Sequence, residues 1–118
     1  MDELVRWLGE QLDEDDRIAR AATPGPWEQT PERPGTLASA EYWHVVDCSE
    51  TPAAGGNVEH VARWDPSRAL REIDAKRQIV DRYAWLREHG DTGGTAWVLP
   101  LLALPYADRP GYREEWRP

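Results

Sequence analysis

The sequence predicts a mixed α+β fold on three observations. Apolar residues recur at helical spacing near the amino terminus, short β-branched and aromatic runs separated by turn residues fill positions 27–64, and an Asp-Pro start signal then opens a long amphipathic stretch. The expected architecture is an N-terminal helix, a small antiparallel three-stranded meander, a long central helix, and a short C-terminal helix with an ordered tail.

The first helix is expected over roughly residues 2–22. Leu4, Leu8, Leu12, Ala19 and Ala22 share one face with Val5 and Ile18 beside them, while Glu10, Asp13, Glu14 and Asp16 fall mostly elsewhere on the wheel. Thr23-Pro24-Gly25-Pro26 ends it, because proline cannot donate to the helical ladder and Pro24 pushes Thr23 out of the helical region. Three strands are then read at Trp27–Thr30, Tyr42–Val46 and Val58–Ala62, bounded by the turn-forming stretches 31–35 and 52–57.

Asp65 offers a carboxylate acceptor to the orphan N–H groups of a helix whose first position is Pro66. The long helix runs from there to about His89 on a stripe of Ala69, Leu70, Ile73, Ile79, Val80, Tyr83 and Leu86, with Gly90 as its stop. After a flexible loop at 91–95, the apolar run 96–105 predicts a short buried helix that begins near Thr95 and passes Pro100, with a strand as the alternative. The tail carries Tyr106, Tyr112 and Trp116 among charges and is expected to pack on the domain, since three large aromatics are costly to leave in water.

At 118 residues the chain is expected to form one domain, residues 1–118, with a single core. Phenylalanine is absent and tryptophan occurs seven times, and most of these indoles are expected in the core. Cys48 is the only thiol, so no internal disulfide and no cysteine-rich zinc site can form, and a reducing cytoplasm fits. The amino terminus is acidic where a secretory signal would be basic, and no apolar run approaches the ~20 residues that span a bilayer, so a cytoplasmic protein without a membrane segment is expected. The net charge is −8, with seven acids against three arginines in residues 1–22 and six against two in 23–64. That balance argues against binding a nucleic-acid backbone.

Several groups have side chains suited to chemistry. His60, with Arg63 and Asp65 at the corner before the long helix, is a candidate ligand or general base. His44 with Asp47 or Glu59 could complete two imidazoles and a carboxylate for a divalent metal, although no known metal spacing is present. Arg68 and Arg71 share a helical face able to clamp an anion, although ion pairing with Glu72 and Asp74 accounts for most of that pattern. There is no phosphate loop, nucleophile elbow or His-Glu-x-x-His, so no catalytic residue, metal or cofactor is assigned.

Three stretches carry a resemblance: Ala21-Ala22-Thr23-Pro24-Gly25-Pro26-Trp27, then His60 to Glu72 continuing to Ala75-Lys76-Arg77, and Leu101-Leu102-Ala103-Leu104-Pro105-Tyr106-Ala107-Asp108 running on to Pro118. Over nearly its whole length the chain resembles a family of small actinobacterial and actinophage proteins catalogued as a domain of unknown function. More loosely, the Thr-Pro-Gly-Pro-Trp turn followed by a meander and an Asp-Pro helix resembles the Ea22-like accessory proteins of temperate phages. The resemblance implies accessory work, such as blocking a host protein or sequestering a small signalling molecule. It implies no catalytic residues.

The reading that follows is a non-enzymatic binding protein using Trp27, His60, Arg63, Arg68, Arg71, Tyr106, Arg113 and Trp116, because Trp, Tyr and Arg carry interface energy. A protein partner or a second copy comes first and a small anionic ligand second. The contrasting reading is a small metal-assisted hydrolase centred on His60 with His44, Asp47, Glu59 or Asp65. The binding reading requires an exposed apolar or arginine-lined concavity.

Overall fold

A computed structural model describes residues 2–90 and 94–118. It contains helix α1 (Asp2–Ala21), strands β1 (Glu28–Thr30), β2 (Arg33–Ala38) and β3 (Val46–Asp47), and helices α2 (Ala54–Arg63), α3 (Pro66–Glu88) and α4 (Val98–Ala103). Two 3₁₀ turns follow at Leu104–Tyr106 and Glu114–Trp116. The N-terminal helix, three-stranded antiparallel sheet, long helix and short C-terminal helix are those expected. The predicted loop at 91–95 lies partly outside the described residues. By contact the chain groups into two compact units, residues 16–72 and residues 1–15 with 73–118.

In the unit of residues 16–72 the sheet order is β1-β2-β3. Gln29 pairs with Leu37, and Leu37 with Val46, so β2 is the central strand. Leu37 and Val58 are almost fully buried with Cys48, and Trp27, Val46, Val61 and Ala62 pack against them.

Two strand assignments are corrected here. The segment Val58–Ala62 is helical and belongs to α2, because its buried and half-buried residues Val58, Val61 and Ala62 are spaced three and four apart, whereas alternation would have buried His60, which is exposed. The real central strand, β2, lies in a segment whose Arg33-Pro34-Gly35 reads as a turn. Pro34 is tolerated there because the β1–β2 register shifts between Gln29 and Thr30, and Gly35 takes φ +84 while its N–H donates to the Gln29 side-chain oxygen at 3.0 Å. Of Tyr42–Val46, only Val46 is in a strand, and it pairs through β3.

The other unit has the larger core. Leu4, Leu8 and Leu12 of α1, one turn apart, meet Ile73, Val80 and Tyr83 of α3 and Leu99 and Ala103 of α4, with Trp7 and Tyr106 closing the edge. Pro100 is admitted in α4 because it stands near the helix start, where its missing N–H would have had no helical partner. The helix α3 ends at Gly90, which takes φ +100 beyond His89, whose N–H still bonds the Trp85 carbonyl at 3.0 Å.

The expectation that most tryptophans sit in the core is also corrected. Trp43, Trp64, Trp85 and Trp97 are each about half or more exposed. Three of these rings have a guanidinium over one face, Arg33 on Trp43 at 4.1 Å, Arg68 on Trp64 at 4.0 Å and Arg82 on Trp85 at 4.8 Å, so cation–π contact partly replaces burial.

Candidate functional site

Within residues 16–72, Asp65 organises the corner that the sequence singles out. Its side chain is 6% exposed, and its two oxygens accept the N–H groups of Trp27 (2.9 Å) and Arg68 (3.0 Å). One oxygen therefore caps α3 while the other ties down the Thr23–Trp27 turn, where the Trp27 indole N–H donates to the Thr23 carbonyl at 2.9 Å. Gly25 passes so close that an added Cβ would lie 2.5 Å from the Ser67 hydroxyl and 2.7 Å from an Asp65 oxygen. The Thr-Pro-Gly-Pro-Trp and Asp-Pro motifs thus form one joint, and its polar groups are consumed in holding it.

Arg68 and Arg63 are engaged in a similar way. Arg68 bonds Glu72 at 3.1 and 3.2 Å and the Arg63 carbonyl at 3.4 Å, so an anion would have to displace a carboxylate to reach it. Arg63 pairs with Glu59, and the exposed His60 ring lies 6.1 Å from Trp64. Arg71 is exposed and makes no ion pair among the described residues. Asp47 accepts hydrogen bonds from Ser49, which hold its carboxyl below the usual carboxylate range and make it a turn-stabilising anion rather than a general acid. Among the described residues no three of His, Cys, Asp and Glu form a group able to hold a metal, so His44 and His60 are not joined into such a centre.

In the unit of residues 1–15 and 73–118, the tail candidates close on α1. Trp7 makes ring contacts with Tyr112 (5.7 Å) and Trp116 (5.5 Å) and donates its indole N–H to the Pro110 carbonyl at 3.1 Å. Tyr106 is buried and accepts from Lys76 at 2.9 Å, Arg109 reaches Asp15, and Arg113 pairs with Glu3.

What stays open in this unit is a groove between α3 and α4. Ile79, Arg82, Tyr83 and Leu86 of α3 line it together with Thr95 and Val98, and its volume is about 410 Å³. Ile79 is 41% exposed, and Trp85, Trp97 and Leu101 are among the exposed large apolar residues of the same helices and their approach. Sequence reasoning placed Ile79 and Leu86 in the core stripe. The available signal is width: the apolar stripe is broader than the core that covers it, so Ile79 and Leu86 fall at its edge beside Tyr83, which faces both the core and the groove.

The chain belongs to the family of unknown function DUF6221. The match covers residues 1–118, so the Asp65 joint, the tail and the groove all lie within the family's extent. No curated protein and no solved structure matches the chain. No helix among the described residues is long and apolar enough to cross a membrane.

Proposed function

We propose that this DUF6221 protein is a non-enzymatic binding protein whose interaction face is the α3–α4 groove. The observation that carries the reading is an apolar concavity of about 410 Å³ left open to water, in which Ile79 is 41% exposed. Exposed apolar surface forgoes roughly 25 cal/mol per Å² that a partner would recover, and grooves between helices receive helical or extended segments in this way. The occupant is a protein. An anionic ligand is the weaker reading, because Arg63, Arg68 and Arg113 are already engaged in ion pairs and only Arg71 is unengaged. The resemblance to actinobacterial and phage accessory proteins and the single thiol at Cys48 support a cytoplasmic accessory role.

The test places a photo-crosslinking amino acid at Gln78, on the groove rim, in cells that naturally make the protein. The expected result is a discrete adduct that disappears in an Ile79→Glu background. No adduct, or an adduct indifferent to Ile79→Glu, would overturn the reading.

A further inference from the structure

We infer that the outer face of α4 joins two copies of the chain in a two-fold dimer, a contact distinct from the filling of the groove. Trp97 and Leu104, which flank α4, both keep helical backbone angles, so one helical path carries all the residues between them. Two apolar stripes run along it, each with steps of four and then three residues. Leu99, Ala103 and Tyr106 are buried in the core, whereas Trp97, Leu101 and Leu104 are 64%, 49% and 37% exposed. The second stripe is offset from the first by two residues, roughly 200° of helical turn, and so lies on the opposite side. A helix that is apolar all round is normally covered all round, and here the chain covers only one side.

Charge argues that the missing cover is a second copy. The chain carries a net charge of −8, and residues 92–107 are its longest stretch without a charged side chain. In a two-fold contact a patch meets itself, so a charged face would meet its own sign and a charge-free face does not. An antiparallel pairing with the axis at Leu101 lays Trp97 of each copy against Leu104 of the other and opposes the two helix dipoles. Asp108, the first charge beyond the stripe, then stands at opposite ends of the contact. The Trp97 indole N–H already donates to the Gly94 carbonyl at 3.1 Å, and Leu101 and Leu104 have no polar side-chain atoms, so these side chains enter a dry interface without an orphaned donor. An anionic lipid surface fits less well, because the stretch offers no Lys or Arg to its headgroups.

Three side chains fall short of the roughly 800 Å² per partner of a standard interface, so a weak dimer is expected, half-dissociated on the order of 10–100 μM. The experiment is sedimentation equilibrium of the full chain from about 1 to about 500 μM, for the natural sequence, Leu101→Glu, Leu101→Lys and an equal mixture of the two variants. The natural sequence is expected to dimerise reversibly. Each variant alone places like charges at the axis and should dimerise at least about tenfold more weakly, while the mixture places opposite charges there and should recover a heterodimer. That recovery also shows that both variants are folded, and circular dichroism of each provides a second check.

A chain that stays monomeric throughout the range would overturn the inference. So would a dimer indifferent to both variants, or variants that are folded but do not recover when mixed, since either outcome removes Leu101 from the axis. A monomer that binds phosphatidylcholine vesicles through Leu101 would make the face lipid-facing instead. A monomer whose Gln78 adduct with another protein is lost in Leu101→Glu would assign the face to that partner. Failure here with a Gln78 adduct that still depends on Ile79 leaves the groove reading standing.

Discussion

The tail corner and the α3–α4 groove lie in the same unit and both gather large apolar side chains, yet one is closed and the other open. At the tail, the rings of Trp7, Tyr112 and Trp116 pack against one another and the Trp7 indole N–H finds a carbonyl, so the aromatic tail that the sequence offers as part of an interface packs on α1. In the groove, Ile79 is left 41% exposed, and the exposed Trp85 of the same helix is contacted by Arg82 and by His89, whose ring stacks on it at 4.0 Å. Residue type therefore does not tell packed surface from open surface; whether the chain supplies its own cover does.

The largest effect should come from breaking the closed corner. Trp7→Ala removes the shared ring of the cluster and strands the Pro110 carbonyl, and should cost about 3–5 kcal/mol in urea denaturation. Asp65→Ala, which closes a corner by hydrogen bonds rather than rings, should cost about 2–3 kcal/mol because the Trp27 and Arg68 N–H groups both lose their acceptor. Asp65→Asn should recover part of that, since an amide oxygen can still accept one bond.

Gly111→Ala sharpens the comparison. It keeps every ring but places a Cβ 2.7 Å from the Trp7 indole nitrogen at φ +90, and about 1–3 kcal/mol of destabilisation is expected. Ile79→Glu in the groove should shift stability by no more than about 1 kcal/mol while abolishing the Gln78 adduct. A large loss of stability there would mean that Ile79 belongs to the core.

The smallest effect lies at the rim of the tail. The Arg117 hydrogen bond and charge hold the Glu114 carboxyl below its ordinary value of 4.5. Because the folded value is the depressed one, the pairing is fully present above that ordinary value and is lost as pH falls through the folded one. Both groups are exposed, so NMR titration should show Glu114 shifting below pH 4.5 with the Trp7 cluster intact.

The helices α1 and α3 were legible because their signals are local: leucines one turn apart, an Asp-Pro start and a Gly stop act within a few residues of themselves. The short α4 and the ordered tail were legible from their apolar and aromatic content. The sites were less so. Trp27, Tyr106 and Trp116 stand out in the sequence as binding residues, but the structure uses their rings in packing. What the amino-acid order determined by itself was the α+β class, the long helix and the acidic charge. Only the tertiary structure decided that 58–62 is a helix, that Arg33–Ala38 is the central strand, that four indoles face water, and that a groove opens beside α4. Strand pairing and burial depend on partners distant in sequence, and a five-residue apolar window fits a period of two or of 3.6 until those partners choose.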